Sequence, residues 1–268
     1  MPTQHAFDAW SAGQSYEHYM GRWIRMISAR FVEWLTPKPD ADWLDLGCGT
    51  GALTQTILTS AAPRSVLAID QSPDFIAHAK AQTDDRRARF KVADAALLAV
   101  DDASVDIVTS ALVLNFIPDR QDALAAMSRA LRPGGLLSFY VWDYPGGGMG
   151  FIDAFWKAAA EVDPKASDLD ESTRFPFCTQ DVLTRLCQEA GLKRTEVIPI
   201  EVTTRFEDFD AFWHPFTMGA GPAPGYCRTL SDAHRQQLKD RLETTLGGDG
   251  PVALPARAWA ARGYTQAA

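Results

Sequence analysis

The chain has 268 residues, of which 46% are hydrophobic and 22% charged, and 26 Lys and Arg stand against 34 Asp and Glu, for a net charge of −8. This composition is typical of a folded globular protein and excludes a disordered chain. The acidic balance disfavours duplex nucleic acid as a partner, because phosphate binding needs Lys and Arg side chains that release counterions. No run of 18 apolar residues occurs, so we expect no membrane span.

The four cysteines lack the spacing of a metal or redox site. They stand at positions 48, 178, 187 and 227, and none belongs to a Cys-x-x-Cys pair. We therefore expect isolated, reduced thiols and no metal site. The first five residues do not begin a basic segment followed by an apolar run, so no signal peptide is predicted and a cytoplasmic location is expected.

The first predicted element is an amphipathic helix over residues 16–34. Its apolar residues recur every three or four positions, which is the period of one helix face. Core packing is the default interpretation of such a stripe. We also hypothesise that Tyr16, Met20 and Arg22 form a lid over a ligand, because an arginine can hold a carboxylate in a two-pronged, charge-assisted pair.

Residues 41–142 alternate short apolar strands with helical segments. Nearly continuous apolar strands separated by helices predict a parallel sheet covered on both faces. Ser72 and Pro73 suit the start of the helix after the second strand, since a hydroxyl can cap free amides and proline fits the first helical position. The strands are predicted at residues 43–46, 66–70, 89–94, 105–110 and 136–142.

The pattern changes after residue 143. Residues 144–178 carry glycines, prolines and charges around one helical stretch, and residues 206–247 are mostly helical around a centre rich in glycine and proline. We interpret both segments as cap elements over the strand ends. Two further strands are predicted at 193–202 and 252–261, although each contains a proline, which is typical of sheet edges, strand starts or bulges.

The most informative segment is Asp45-Leu46-Gly47-Cys48-Gly49-Thr50-Gly51, which leaves the first predicted strand and enters a helix. Alternating glycines allow a sharp turn and let a ligand lie against the backbone. Free amides at the start of the following helix then face that ligand. Asp70 closes the second strand, where a carboxylate can accept hydrogen bonds from a ribose diol.

Two classes of ligand fit this loop, and its charge separates them. The loop also satisfies the GxGxxA pattern of dinucleotide binding, so a nicotinamide or flavin cofactor is an alternative. A dinucleotide would place a pyrophosphate here, but Asp45 precedes the glycines and the first basic residue after them is Arg64. An acidic residue favours a cationic ligand, and S-adenosylmethionine (SAM) carries an ammonium and a sulfonium without a phosphate.

These motifs resemble those of the class I SAM-dependent methyltransferases, in particular small-molecule enzymes similar to the ubiquinone/menaquinone methyltransferases. The resemblance implies an α/β, Rossmann-like fold with a seven-stranded, mostly parallel sheet in the order 3-2-1-4-5-7-6, strand 7 antiparallel, and helical cap insertions. It also implies one methyltransferase domain over 1–268, with an N-terminal helical lid at 1–40, a SAM-binding core at 41–143 and caps at 144–178 and 206–247. It rests on residues 45–51, 68–70, 93–95, 106–112 and 131–135.

The same resemblance implies a set of cofactor contacts. The methionine moiety would lie by Asp45 and the glycines, with Ala111 and Leu112 lining it, and Asp70 would bind the ribose hydroxyls. Asp94 would bind the adenine amino group, Ala95 would add a backbone contact, and Gln71 would pack against the adenine or its sugar. The implied loop contacts are Asp45, Gly47, Cys48, Gly49 and Gly51.

No catalytic residue follows from the resemblance. The family has no universal one, and Asn115 stands near the position where many relatives have a histidine, so no general base carries over. Asp143 is a candidate because it follows the fifth predicted strand, where ligands gather at the carboxyl ends of an open sheet. His214 is another, inside a predicted cap, although packing is the more conservative interpretation of His214.

The resulting hypothesis is methyl transfer from SAM to a small acceptor. Aromatic residues in the caps favour an apolar or aromatic acceptor, or else they only attach the caps to the sheet. A nucleic-acid partner is not expected, since the Asn/Asp-Pro-Pro-aromatic signature after the fourth strand is replaced by residues 114–118, Leu-Asn-Phe-Ile-Pro. Two alternatives stay open: a SAM-binding protein with non-methylating chemistry or a regulatory role, and an NAD-dependent oxidoreductase.

Overall fold

A computed structural model of the chain describes residues 17–93, 100–218 and 221–267, with side chains from Tyr19 onward. Its seven strands form one sheet in the order β3-β2-β1-β4-β5-β7-β6, with β7 antiparallel. This confirms the predicted fold class and strand order. The strands are β1 Asp42–Leu46, β2 Ser65–Asp70, β3 Ala88–Val92, β4 Val105–Ala111, β5 Leu131–Trp142, β6 Lys193–Phe206 and β7 Val252–Tyr264.

Helices fill most of the described chain between the strands, and none of those described is both long and apolar enough to cross a bilayer. Short 3-10 turns lie at Leu114–Phe116, Pro164–Asp168 and His214–Thr217. The helices are α1 Arg22–Leu35 (preceded by a π-helical turn, Glu17–Gly21), α2 Ala52–Ser60, α3 Pro73–Gln82, α4 Arg120–Ala130, α5 Gly150–Val162, α6 Glu171–Arg174, α7 Gln180–Glu189, α8 Phe209–Trp213, α9 Pro222–Thr229 and α10 Asp232–Leu246.

The chain divides into two compact units. The one that we call the sheet unit comprises Ile24–Val141, Phe177–Ile200 and Ala258–Ala268. Its centre is β1, which pairs in parallel with β2 on one side and β4 on the other. The Ser110 hydroxyl donates to the Leu46 carbonyl at 2.9 Å, which joins the carboxyl ends of β4 and β1. Those ends carry the residues of interest below.

The other unit, here the aromatic unit, comprises Met1–Trp23, Trp142–Pro176 and Glu201–Arg257. Its described core is built from rings: Phe155 stacks on Phe216 with centroids 4.5 Å apart, and Tyr19 meets Phe151 edge-on at 5.5 Å. These rings are buried, so they contribute a hydrophobic core to this unit. The packing interpretation of the cap aromatics is therefore supported for these residues. The division into one domain with a lid and two caps stays a prediction.

Several predicted boundaries were wrong. The fifth strand begins at Leu131, five residues earlier than predicted, because the backbone of Gly134 and Gly135 pairs with the chain's last described residues. Both late strands end later than predicted, at Phe206 and Tyr264, and each includes its proline as predicted. Pro199 lies in β6, which is an edge strand of the sheet, as expected for a proline. Pro255 lies in β7, next to Ala256, which forms an isolated β-bridge with Met149 of the loop after β5.

Candidate cofactor-binding site

The loop after β1 is tied to the carboxyl end of β2. The backbone amides of Gly47 and Cys48 both donate to the Ile69 carbonyl, at 2.8 and 2.9 Å. The amide of Gly51 then donates to the Cys48 carbonyl at 2.9 Å, and α2 follows at once. The sequence therefore folds into a tight turn that leads directly into a helix, as predicted.

The three glycines of this loop have different roles. All have positive φ, +71° at Gly47, +53° at Gly49 and +90° at Gly51, which side chains rarely adopt. A Cβ on Gly47 would lie 2.2 Å from Val113 Cγ2, and one on Gly51 would lie 3.2 Å from the Ala79 Cβ. A Cβ on Gly49 would meet no described atom within 4 Å. Packing requires the first glycine and crowds the last, while Gly49 borders open space in which a ligand can lie.

Asp45 is fully buried at the end of β1 and only half satisfied. The Thr54 hydroxyl donates to its Oδ2 at 2.5 Å. Its Oδ1 has no hydrogen-bond partner among the described residues. Burial, assisted by the charge of Asp70, raises the pKa of Asp45 to about 7. A buried, unpartnered carboxylate oxygen is costly, and a cationic group of a ligand would compensate that cost.

Asp70 ends β2 and organises the next turn. Its Oδ2 accepts from the amide of Gly49 at 2.9 Å and its Oδ1 from the amide of Ser72 at 2.8 Å. Burial raises the pKa of Asp70. Each carboxylate oxygen can accept a second hydrogen bond, so both remain able to bind ribose hydroxyls. The Ser72 hydroxyl accepts from the Phe75 amide at 3.3 Å, which confirms the predicted helix cap.

The remaining predicted contacts of the sheet unit lie near the same strand ends or outside the described residues. Gln71 is exposed directly after Asp70. Ala111 ends β4, and Leu112 follows with φ +62° and its amide donating to the Tyr140 carbonyl at 2.9 Å. Cys48 is buried against Ala68 and Ile76, and burial raises the pKa of its thiol, so it acts as a small apolar residue. Tyr16, Asp94 and Ala95 lie outside the described residues.

Met20 and Arg22 belong to the aromatic unit. Met20 is buried. The Arg22 guanidinium lies 4.0 Å from the centre of the Trp23 ring and 4.7 Å from that of Phe206. These rings hold the guanidinium by cation–π contacts. The lid role of both residues stays a prediction.

Asp143 is almost fully buried, and its carboxylate is engaged within the aromatic unit. Arg257 Nε donates to Oδ2 at 2.6 Å, and the amide of Gly146 donates to Oδ1 at 3.0 Å. A substrate contact by Asp143 stays a prediction. His214 is exposed in a 3-10 turn, while its neighbour Trp213 is buried. The packing interpretation of His214 was therefore wrong, because the turn buries the residues on either side of it and directs the imidazole outward.

Sequence reasoning did not predict the burial or the partners of three polar groups. Arg120 and Asn115 lie after β4 in the sheet unit, where their partners come from residues about 60 positions away. Glu171, in the aromatic unit, accepts from the Trp156 indole, and burial raises its pKa to about 7. Nothing in the local sequence around these residues predicts their burial, since each contact is made across the fold.

The strand order, the glycine turn after β1 and the aspartate that ends β2 are the features that the resemblance to class I SAM-dependent methyltransferases implies. The comparisons with known proteins agree: residues 44–139 match the family model "Methyltransferase domain". The chain is 40% identical over 96 residues to malonyl-[acyl-carrier protein] O-methyltransferase of Hahella chejuensis, covering 36% of this chain and 34% of that protein.

Two further comparisons extend this result. The chain is 36% identical over 118 residues to trans-aconitate 2-methyltransferase of Deinococcus radiodurans, covering 44% of each. In these two alignments the chain spans less than half the length of the relative. The crystal structure of a putative methyltransferase from Bacillus halodurans superposes with a TM-score of 0.61 at 16% identity, over 89% of this chain and 98% of that one, and so supports the fold.

Proposed function

We propose that the protein transfers the methyl group of SAM to a small-molecule acceptor and releases S-adenosylhomocysteine. The observations that carry this proposal are the unpartnered Oδ1 of Asp45, at the end of β1, and the open space at Gly49 in the loop that follows it. SAM offers an ammonium for that oxygen and a ribose diol for Asp70, and it brings no phosphate to an acidic loop. A dinucleotide would set its pyrophosphate against this buried carboxylate, so the NAD-dependent alternative is disfavoured.

When bound, SAM supplies an activated sulfonium methyl group. The chain's own residues would bind and orient it. Asp45 would hold the ammonium and Asp70 the ribose, and the backbone at Gly49 would leave room for the ligand. Alignment of this kind can lower a reaction barrier by about 7–11 kcal/mol. Contacts of Tyr16, Met20, Arg22, Asp94 and Ala95 with SAM are part of the same proposal.

The acceptor class draws support from the relatives. Two of them are named for methylation of acids, malonyl-[acyl-carrier protein] and trans-aconitate. The buried rings of the aromatic unit pack against one another, which weakens the inference of an apolar acceptor from aromatic content.

A cytoplasmic location is also proposed, since all four cysteines are buried and outside disulfides, as in proteins of reducing compartments.

Calorimetry with SAM, S-adenosylhomocysteine and NAD tests the binding step. We expect SAM and S-adenosylhomocysteine to bind and NAD not to bind. Asp70→Ala should weaken SAM binding by about tenfold or more, since hydrogen bonds to a charged group contribute about 1.5–3 kcal/mol. Asp74→Ala is the matched control, because Asp74 is exposed in the first turn of α3. Binding of NAD without SAM would contradict the proposal.

A second assay separates methyl transfer from the non-methylating alternative. S-adenosylhomocysteine is measured by mass spectrometry after incubation with SAM and pools of small acids and small aromatic compounds. Formation that depends on the pool supports methyl transfer. Cleavage of SAM into other products, with no methylated acceptor in any pool, favours the alternative chemistry.

A further inference from the structure

The segment that follows β4 packs against the glycine loop of the sheet unit. Val113 lies against Gly47, so closely that a Cβ at position 47 would be 2.2 Å from Val113 Cγ2. The next residues form the 3-10 turn Leu114–Phe116, and α4 begins at Arg120. The Arg120 Nε donates back to the Leu114 carbonyl at 3.2 Å. Residues 113–120 are therefore held beside the proposed cofactor loop.

Asn115, in the middle of this turn, is 5% exposed. Its Oδ1 accepts a hydrogen bond from Cys178 Sγ at 3.7 Å. No described residue accepts from its Nδ2. The thiol thus occupies the acceptor end of the amide, and the Nδ2 donor keeps its hydrogen-bonding capacity for a ligand. An acceptor atom from a ligand would complete it.

Arg120 is a half-buried cation with no carboxylate partner in the described chain. Its guanidinium carbon lies 3.7 Å from the centre of the Phe177 ring. No carboxylate oxygen of the described residues lies within 4.0 Å of its nitrogens, and the neighbouring Asp119 instead accepts from the Asp122 amide. Other arginines of the sheet unit have such partners: Arg64 with Asp42, Arg87 with Asp85, Arg132 with Asp106 and Arg262 with Glu196.

These two donors share Cys178 as a neighbour. The thiol donates to Asn115 and lies close enough to Arg120 to influence the pKa of its guanidinium. Burial lowers the pKa of Arg120, which reflects loss of hydration without a compensating anion. The planar guanidinium, steadied over the Phe177 ring, keeps two Nη groups for a ligand. That geometry matches a carboxylate, which accepts two parallel hydrogen bonds.

We propose that Arg120 and the Asn115 amide bind a carboxylate of the methyl acceptor. This rests on the proposed function, because it assigns the substrate class of the same site. The occupant is a carboxylic acid bound by one Arg–carboxylate pair and one amide hydrogen bond. The sulfonium methyl group would then be presented to an acid held at the end of β4.

Arginine side-chain NMR tests the site without requiring turnover. The Nε–H signal of Arg120, assigned with Arg120→Lys, is followed during titration with succinate, inorganic phosphate and sodium chloride. We expect a saturable shift with succinate, no saturable shift with sodium chloride, and a weaker response to phosphate. Arg129, exposed on the same helix, is the matched control and should not shift. Asn115→Ala should weaken succinate binding at least severalfold. Equal shifts at Arg129, or a stronger response to phosphate, would overturn the proposal.

Activity measurements then connect the site to methyl transfer. With an acid that the enzyme methylates, Arg120→Lys should raise KM by about tenfold while SAM affinity by calorimetry stays unchanged; Arg129→Lys should leave both unchanged. Thermal melting checks that each variant is folded, and Phe177→Leu, which keeps the charge, should give an intermediate effect. If the wild type binds no SAM, the proposed function fails. If it binds SAM yet neither binds nor methylates any acid, only the carboxylate site fails.

Discussion

Two glycine-rich loops, one in each unit, both follow a strand and contain a buried aspartate, but their aspartates have different partners. The first follows β1 with Asp45 and three glycines, and the second follows β5 with Asp143 and the glycines at 146–148. Both aspartates are buried. Asp143 is paired with Arg257 and with the amide of Gly146, whereas Asp45 has an oxygen that no described residue satisfies.

The space around the glycines also differs between the two loops: it is filled in the second loop and open in the first. A Cβ on Gly146 would lie 2.4 Å from the carboxylate of Asp143, while one on Gly49 would meet nothing within 4 Å. The second loop is therefore closed around its own aspartate and stabilises the fold. In the first loop, the space at Gly49 is open and no described residue provides a positive charge for Asp45. A buried aspartate next to glycines indicates a ligand only where the chain does not itself provide the counter-charge.

The largest effect is expected from Asp143→Ala. It leaves Arg257 without its principal partner, although Glu201 remains at 3.2 Å. Removing one member of a largely buried pair should lower the free energy of unfolding by about 3 kcal/mol, measured by urea denaturation. Asp153→Ala is the control, because its pair with Lys157 is exposed at the lysine and should contribute less than about 1 kcal/mol. Similar losses in both variants would refute the structural role of Asp143.

An intermediate effect comes from adding one methyl group to each loop. Gly146→Ala forces the new Cβ into Asp143 and should destabilise by about 2 kcal/mol. Gly49→Ala has no clash and should cost only about 1 kcal/mol for its positive φ. It should, however, weaken SAM binding by about tenfold in calorimetry, because the methyl group fills space that the ligand uses. Unchanged SAM affinity in Gly49→Ala would show that the first loop is not the cofactor cradle.

The sequence predicted the first loop well because its signals are local. A strand, a glycine turn, a helix and Asp70 follow one another within about 26 residues, so their spacing alone defines the turn. The strand order could be predicted only through family resemblance. Arg257 lies 114 residues from Asp143, and Cys178 lies 63 from Asn115. No local pattern predicts such contacts, which is why neither the pairing of Asp143 with Arg257 nor the environment of Arg120 was predicted.

The smallest change in the free energy of unfolding is expected from Asp45→Asn, and it is an increase, whereas the substitutions above lower it. The pKa of Asp45 is about 7 in the folded protein, above the ordinary 3.8 of the unfolded chain. Ionisation of this carboxyl therefore opposes folding: the penalty is absent below pH 4, grows as the pH rises towards 7 and is complete above 7. Asparagine cannot ionise but can still accept from Thr54. The raised pKa corresponds to a penalty of up to about 4 kcal/mol at pH 8, and the asparagine Nδ2, left without a partner in the buried site, offsets about 1–3 kcal/mol of the gain. The variant should therefore exceed the wild type by about 1 kcal/mol at pH 8 in urea denaturation and fall below it near pH 4.

The same substitution should lower SAM affinity, because the ammonium loses its anionic partner. Wild-type affinity should rise with pH through 7 as Asp45 ionises, and the affinity of Asp45→Asn should be flat over that range. The matched comparison is Asp143→Asn, which removes a charge that Arg257 already neutralises and should lose stability at pH 8. If Asp45→Asn were also less stable than the wild type at pH 8, the two aspartates would have the same role and the open state of the first loop would be disproved.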